Sequence, residues 1–551
     1  MLSSHGFILI MREHQMFNTS KQSLQQLSDL VVRGKLSRRD FMTRAVALGV
    51  STLAAEHMLT TSALAQTPKV GGLLRVGAPS ASTDDTLDPA TLDDSFDILS
   101  CYGMLRNNLV DIDERSTPVP GLAESWEASS DVATWTFKLR RGVEFHNGKT
   151  LTVDDVIDSL NYHRGEESAS SAKNLVDQIE EIRADGKDTI VFKLKDGNAD
   201  FPVVLSSYQL LIFPEGTRGA EFDKGIGTGP YSLQYWEPGV RMEGKRNPNY
   251  YREGKPHFDE VHVIGINDVV SRTAALQTGQ VDIMSRCDVK TVHLLERNPN
   301  VQVFQVTGTK HYTAPMHVDT APFDDVHVRK AIKYGVDRQA ILDTILLGYG
   351  VLGNDQPIAP TMRFHNPDIP QTQYDPDRAR HHLKQAGLSS LDVNLAAADA
   401  AFAGAVDTAV LFQEHASKAG INITVDRVSE DGYWNDIWLV RPWCMCFWAG
   451  RPTEDLMFSS AYQAGADWND TRWANPRFND LLLAARKELD EAKRRDMYYE
   501  MQQLCHDDGG AIVFTFAADV QAASADLHKP DHVASNWEFD GHKVAERWWW
   551  S

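Results

Sequence analysis

Cysteine is scarce in this sequence of 551 residues, which contains five. An odd and sparse set of cysteines does not make a disulfide framework, so we expect none. Cys444 and Cys446 are two positions apart on a predicted strand, which points both side chains to one face but rarely suits a disulfide. Because no CxxC pair is present and no histidine completes a tetrahedral set, the sequence predicts no structural zinc site.

Basic residues are also few, since 55 Lys and Arg oppose 76 Asp and Glu, a formal net charge of -21. This balance argues against nucleic acid or an anionic membrane surface as a partner. The chain lacks a GxSxG elbow, an HExxH helix and a P-loop, which removes the commonest hydrolase, metalloprotease and nucleotide-dependent enzymes. We predict a binding protein with no catalytic residues, cofactor or metal. An exported enzyme and an exported scaffold or sensor remain alternatives.

The N-terminal segment has the three regions of an export signal. Paired arginines in SRRDFM, residues 37–42, precede a weakly apolar run at 45–64 that ends in an AxA pattern at Ala65. The order resembles a twin-arginine signal and predicts cleavage near Ala65 and a periplasmic protein. A basic amphipathic helix or a membrane anchor is the alternative, but the run is shorter than the roughly 18 continuous apolar residues of a spanning helix.

One stretch after position 440 combines an apolar strand with a polar turn. Residues 443–448 are uncharged and rich in aromatics, which predicts a buried strand that ends at Trp448, and Gly450 helps to break it. Arg451 follows in the turn, where its guanidinium offers planar donors for a carboxylate or phosphate beside an indole face. The alternative is an ordinary ion pair between Arg451 and Glu454 or Asp455.

A strand, a turn and a helix follow one another in residues 121–160. Trp135, Phe137 and Leu139 alternate with polar residues, which predicts a half-buried strand, and Asn147-Gly148 predicts a tight turn. Thr152 is placed to cap a helix with apolar residues at helical spacing after it. Similar amphipathic helices are predicted on both sides of Asp337 and near the C-terminus.

Six blocks of the chain, in order and at the right spacing, resemble the large extracytoplasmic solute-binding proteins of the dipeptide, oligopeptide and nickel-binding family, bacterial family 5. Proteins of this family serve ABC importers. The likeness covers essentially the whole chain after the export signal. The blocks are residues 121–160, 227–239 (GTGPYSLQYWEPG), 247–263, 271–284 (SRTAALQTGQVDIM), 323–342 and 374–387 (YDPDRARHHLKQAG).

The resemblance implies an α/β fold of two lobes joined by hinge strands, with an extra α/β domain inserted in the first lobe. It further implies that a small-molecule ligand is enclosed between the lobes and delivered to permease and ATPase subunits of an ABC importer; we expect a monomer. After a signal peptide at 1–65, the implied parts are a first lobe of 66–110, 222–309 and 511–551, an inserted domain of 111–221, and a second lobe of 310–510.

The chain departs from its peptide-binding relatives at one position. In those proteins a Trp is followed three positions later by an Asp that holds the peptide's amino terminus, whereas the matching residues here are Trp448 and Arg451. A cation there favours an anionic ligand, such as a carboxylate-rich compound, a metal chelate or a conjugate. Peptide binding, as in the parent family, remains the alternative. The predicted ligand-binding residues are His311, Tyr312, Tyr433, Trp434, Trp448, Gly450, Arg451, Trp468 and Asn469.

Overall fold

The predicted first strand, residues 70–77, is present at Leu73–Ala78 near the middle of a nine-stranded sheet. The structure is a computed structural model and describes residues 68–430 and 432–551. The predicted signal peptide, residues 1–65, therefore lies outside the described residues.

The strands and helices alternate along the chain, which makes the fold α/β. The strands are β1 Leu73–Ala78, β2 Val110–Ile112, β3 Pro118–Pro120, β4 Ala123–Ala128, β5 Thr134–Leu139, β6 Ile179–Ala184, β7 Thr189–Leu194, β8 Tyr231–Glu237, β9 Arg241–Arg246, β10 Glu260–Gly265, β11 Ile283–Met284, β12 Val301–Pro315, β13 Gly350–Leu352, β14 Leu391–Ala397, β15 Ile421–Arg427, β16 Cys446–Trp448, β17 Ala511–Ser524, β18 Leu527–His528 and β19 Trp549–Trp550. The helices are α1 Ser95–Ser100, α2 Val153–Asn161, α3 Lys173–Val176, α4 Phe201–Val204, α5 Val269–Gln277, α6 Val292–Leu295, α7 Val326–Tyr334, α8 Arg338–Ile345, α9 Pro376–Gln385, α10 Ala405–Ser417, α11 Tyr433–Asp436, α12 Glu454–Ala461, α13 Pro476–Lys487, α14 Glu491–Asp508, α15 Glu538–Gly541 and α16 Val544–Arg547.

Two long antiparallel strands, β12 and β17, connect separate hydrophobic cores. They pair from Val301 opposite Ser524 to Pro315 opposite Ala511, with two register shifts. One end of the pair packs in a core with α5, while the other end packs among the helices that follow β12. The large sheet has the order β16-β12-β17-β11-β1-β10-β9-β8, and β13 also pairs with β17. Strands that cross between two cores in this way act as hinge strands.

A four-stranded antiparallel sheet in the order β4-β5-β7-β6 forms with α2 a further core. The Thr152 side chain caps α2 in a capping box with Asp155, which confirms the helix start predicted from the sequence. The turn at Asn147-Gly148 is also as predicted, and Gly148 takes the positive φ of 82° that such a turn requires.

The part of the chain after β12 contains the parallel pair β14 and β15 and most of the long helices. Asp337 caps α8 directly after α7 ends, so the two helices predicted around this residue are confirmed. The predicted strand at 443–448 is shorter than expected, since β16 begins at Cys446. Trp443 and Cys444 instead make isolated bridges to Met316 and Ala396, because the backbone of Trp443 and Met445 hydrogen-bonds to Ala396 in β14.

The described chain falls into two compact units. The larger one contains Leu73–Ala525 and Pro530–Arg547, and the described part of the smaller one contains residues 68–72, Asp526–Lys529 and Trp548–Ser551. Within the smaller unit, β18 pairs antiparallel with β19, so the C-terminal tryptophans form a terminal strand. All five cysteines are buried free thiols. None of the helices in residues 68–430 and 432–551 has the length and apolar character needed to cross a membrane.

Candidate functional site

A cavity of about 450 Å³ lies in the larger unit and receives side chains from widely separated parts of the sequence. One wall comes from the predicted inserted domain, just after α4, and another from the predicted second lobe at the turn between β16 and α12. Thr309 on β12 and a segment before α15 complete it. Side chains around the cavity include Tyr208, Gln209, Thr309, Phe364, Gly450, Arg451, Glu454, Trp468 and Trp537.

Arg451 lies in this cavity, and no acid among the described residues pairs with it. Among the described residues, its guanidinium donates to the carbonyl oxygens of Ala449 at 3.2 Å and Gly450 at 3.4 Å and makes no ion pair. Burial lowers the pKa of Arg451, and no neighbouring acid opposes this effect. A partly buried cation held only by carbonyl groups is an open position for an anion.

The local structure explains why Arg451 faces the cavity. β16 pairs with β12, which places His311 opposite Trp448 and ends the strand at the cavity edge. Thr453 then caps α12, so Arg451 lies in the short turn between strand and helix. Gly450 packs so closely on Thr309 that a Cβ would collide with the threonine hydroxyl. The turn is therefore held against β12.

Two indoles flank the Arg451 guanidinium. Its central carbon lies 5.7 Å from the ring centre of Trp448 and 5.9 Å from that of Trp468. Trp448 is buried, whereas Trp468 is 50% exposed and lines the cavity. Such cation–π contacts stabilise a guanidinium in place and leave its outer edge available for hydrogen bonds.

The ion pair that the sequence analysis kept as an alternative for Arg451 is not formed. The carboxylate of Glu454 accepts a hydrogen bond from the backbone N–H of Phe364 at 2.7 Å. Asp455 instead pairs with Arg486 at 3.0 Å. Both acids begin α12, and the helix turns them towards other segments than the one that holds Arg451.

Glu454 adds an unusual carboxyl group to the cavity wall. It is 5% exposed, and burial raises its pKa from 4.5 to about 7. At neutral pH the group is therefore partly protonated and contributes less than a full negative charge near Arg451. The neighbouring Asp200 is neutralised by a buried ion pair with Arg494, so the cavity keeps a positive centre.

The wall opposite the turn was not predicted. Tyr208 and Trp537 meet edge to face there, with ring centres 5.2 Å apart, and both line the cavity. Burial raises the pKa of the Tyr208 phenol, which keeps it neutral. The only sequence feature at this part of the wall is the polar loop SSYQ after an apolar helix. Such loops are common in proteins and do not indicate a binding function.

Five of the nine predicted ligand residues lie away from the walls of this cavity. His311 is buried and bonded through Nδ1 to the Thr309 oxygen at 2.9 Å, and the Tyr312 ring stacks on Phe402. The Tyr433 hydroxyl donates to the Met445 carbonyl oxygen at 2.6 Å. Trp434 is 38% exposed and packs on Tyr433 and Trp438. The Asn469 side-chain amide donates to the carbonyl oxygens of Gln463 and Trp473.

The remaining four predicted residues are close together. Gly450, Arg451 and Trp468 line the cavity, and Trp448 lies directly behind Arg451. Their contact with a ligand stays a prediction.

One group of three acids in the described chain has carboxyl oxygens close enough to share a metal ion. Asp85, Asp94 and Asp97 have oxygens within 4.8 Å of one another. They already accept hydrogen bonds from backbone N–H groups, and Asp94 caps α1. Burial also raises the pKa of Asp85 and Asp97, which relieves their repulsion by protonation. These features explain the cluster as a helix start.

A cavity walled by segments of different cores, with a charged anchor and aromatic faces, is the arrangement of a solute-binding protein. The chain matches the family "Bacterial extracellular solute-binding proteins, family 5 Middle" over residues 117–493. It belongs to this family, and the resemblance found in the sequence is confirmed. Proteins of this family bind small ligands in the periplasm and work with the permease and ATPase subunits of ABC importers.

Individual members of the family have low sequence identity to this chain. The chain is 28% identical to the dipeptide-binding protein of Escherichia coli (strain K12) over 452 residues, which are 74% of this chain and 83% of the relative. It is 25% identical to the glutathione-binding protein GsiB of the same strain over 460 residues, 80% of this chain and 89% of the relative.

Solved structures show the same fold. HbpA2 from Haemophilus parasuis superposes with a TM-score of 0.76 at 20% identity, covering 85% of this chain and 99% of that one. The fold is the two-lobed periplasmic-binding-protein fold with hinge strands and an inserted α/β domain, as predicted.

Proposed function

We propose that this protein captures an anionic solute between its lobes and delivers it to an ABC importer, with Arg451 as the partner of the anion. The observation that carries the proposal is the open guanidinium in the cavity, which donates only to backbone oxygens among the described residues. A carboxylate paired with it would form charge-assisted hydrogen bonds of about 1.5–3 kcal/mol, enough to set the ligand class.

The size and lining of the cavity agree with a small organic anion. A volume of about 450 Å³ is within the range of small-molecule sites. Trp468 and Trp537 supply flat apolar faces, while Gln209 and Thr309 supply neutral hydrogen-bonding groups. A carboxylate-rich compound, a metal chelate or an acidic conjugate fits this combination. We also propose export by the twin-arginine route with cleavage near Ala65, and a monomeric binding protein.

Peptide binding is the second candidate, and one observation favours it. Glu454 brings a carboxyl group into the cavity, and a fully ionised Glu454 would accept the ammonium group of a peptide. The relatives named above bind dipeptides and glutathione. Glutathione carries two carboxylates, so an anionic peptide satisfies both Arg451 and Glu454.

A pair of probes that differ only at the amino end, an ammonium group in one and a succinyl carboxylate in the other, separates these candidates. We would unfold and refold the exported protein to remove bound ligand, then compare Ala-Phe with N-succinyl-Ala-Phe, together with citrate and glutathione, by thermal shift. An anion preference predicts stabilisation by the succinylated probe, with about 2.7 kcal/mol at a hundredfold excess over Kd. Stabilisation by Ala-Phe without any response to the acidic probes would refute the proposal.

Two variants test whether Arg451 carries the preference. Arg451→Gln should weaken binding of the acidic probes about tenfold or more, because it removes the charge-assisted bonds. Arg477→Gln is the matched control, since Arg477 is exposed and pairs with Glu500 outside the cavity. Native mass spectrometry of protein purified from its source would identify a ligand that remains bound.

A further inference from the structure

Asp470 is a buried carboxylate that binds two tryptophans instead of a cation. It is 5% exposed, and its Oδ2 accepts hydrogen bonds from Nε1 of Trp438 at 3.2 Å and Nε1 of Trp448 at 3.1 Å. In the described part of the chain it forms no ion pair. Burying an unpaired carboxylate is costly, and an apolar residue would fill the same space more cheaply. The hydrogen bonds to the two indoles are therefore what a carboxylate at this position provides.

Both tryptophans back the cavity wall. Trp448 lies behind the Arg451 guanidinium, 5.7 Å from its central carbon. Trp438 and Trp448 both contact the ring of Trp468, with ring centres 6.4 Å and 6.3 Å away. Because a hydrogen bond from the indole N–H restricts the orientation of the ring, one acceptor shared by two indoles couples both ring orientations.

We propose that Asp470 is a positioning residue of the ligand site, which holds Trp438 and Trp448 in place and through them sets Arg451 and Trp468 against the ligand. Asp470 itself does not line the cavity. This inference rests on the proposed anion-binding role of Arg451.

The titratable groups packed around Asp470 have pKa values that are shifted away from neutral pH. Cys446 is within reach of its carboxyl, and burial raises the pKa of this thiol, as it does for Cys444. Burial likewise raises the pKa of Tyr462 and lowers that of His311, which faces Trp448 across β12, to about 4.

Two charged side chains near Asp470, Arg451 and Arg472, make contacts with other groups. Arg451 remains protonated, and Arg472 pairs with Asp319. Burial raises the pKa of Asp470 itself to about 6, although the indole N–H groups oppose this. Titration of Asp470 should therefore change how it holds Trp438 and Trp448.

The test compares three variants in the full exported protein with N-succinyl-Ala-Phe as the probe. Asp470→Leu removes the acceptor, Asp470→Asn keeps an acceptor oxygen without the charge, and Trp448→Phe keeps a ring without the N–H. We expect Asp470→Leu and Trp448→Phe to weaken binding about tenfold, and Asp470→Asn to bind within about threefold of wild type. If Asp470→Leu fails to fold, Trp448→Phe and Asp470→Asn still decide.

A spectroscopic measurement adds a result that a merely structural role would not give. The near-ultraviolet circular dichroism of the wild type should change between about pH 5 and pH 8, where both Asp470 and Glu454 titrate. In a Glu454→Gln background, which removes the titration of the cavity-wall carboxyl, Asp470→Asn should reduce the change that remains. In the Arg451→Gln background, Asp470→Leu should cause a smaller loss of affinity than in the wild type, because only its effect through Trp468 remains.

The outcomes separate this inference from the proposed function. If Arg451→Gln binds the probe as the wild type does, the proposed function fails and the role of Asp470 fails with it. If Arg451→Gln weakens binding while folded Asp470→Leu and Trp448→Phe bind like the wild type, Asp470 has no positioning role and the proposed function stands.

Discussion

Replacing Glu454 by glutamine should make the protein more stable at alkaline pH. Glu454 is 5% exposed, and its carboxyl group accepts the backbone N–H of Phe364 at 2.7 Å. Glutamine keeps an acceptor oxygen for this N–H and has no charge to bury. The substitution therefore removes the titration of the group while it keeps the hydrogen bond and the shape.

The sign follows from the direction of the pKa shift. Burial raises the pKa of Glu454 from 4.5 to about 7 in the folded protein. A raised folded-state pKa means that the contribution to stability is present below pH 4.5 and is lost as pH rises through about 7. The difference between these values, at about 1.4 kcal/mol for each pH unit, corresponds to about 3 kcal/mol.

Urea unfolding followed by tryptophan fluorescence at about pH 5 and pH 8 measures the effect. Glu454→Gln should match the wild type within about 1 kcal/mol at the lower pH and exceed it by about 3 kcal/mol at the higher one. Glu500→Gln is the control, because Arg477 lowers the pKa of this mostly exposed acid and the change should have the opposite sign and be small. A Glu454→Gln protein no more stable than wild type at pH 8 would refute the reasoning.

Two further substitutions test contacts that stabilise the fold, a helix cap and a buried ion pair. Thr152→Ala removes the cap of α2 at the Asp155 N–H and should cost about 1 kcal/mol in urea unfolding, whereas Thr152→Ser keeps the cap; equal stability of the two would contradict this. Arg338→Met leaves the buried Asp355 carboxylate without its partner at 2.6 Å and should cost about 3–5 kcal/mol, seen as a lower melting temperature. Arg477→Met breaks an exposed pair and should cost less than about 1 kcal/mol, so a similar loss in both would exclude the burial argument.

Local features of the fold were predictable from short stretches of sequence. The Thr152 cap, the Asn147-Gly148 turn and the helix start at Asp337 each depend on residues within a few positions of one another. The order of six sequence blocks likewise predicted the family and its two-lobed fold. Backbone preferences act over such short distances, which is why these predictions are confirmed.

Contacts between distant parts of the chain explain where the structure differs from the sequence predictions. β16 begins at Cys446 and not at Trp443, because the backbone of Trp443 and Met445 hydrogen-bonds to Ala396 in β14. Tyr433 and Asn469 bond to carbonyl groups 12 and 4 residues away in the chain, so their polar atoms serve the fold. A sequence pattern does not distinguish an aromatic or amide in a core from one in a cleft, since both environments favour the same residues.

The sequence by itself determined that Arg451 occupies the position of the expected acid, in a turn after a buried strand. Whether that arginine is free was decided only by the tertiary structure. Its nearest acids in the chain, Glu454 and Asp455, are taken by Phe364 and Arg486, which lie 90 and 31 residues away. The wall that faces Arg451 comes from loops that meet only when the domains fold together. Charge and propensity are local properties, whereas the partner of a charge depends on which distant segment packs beside it.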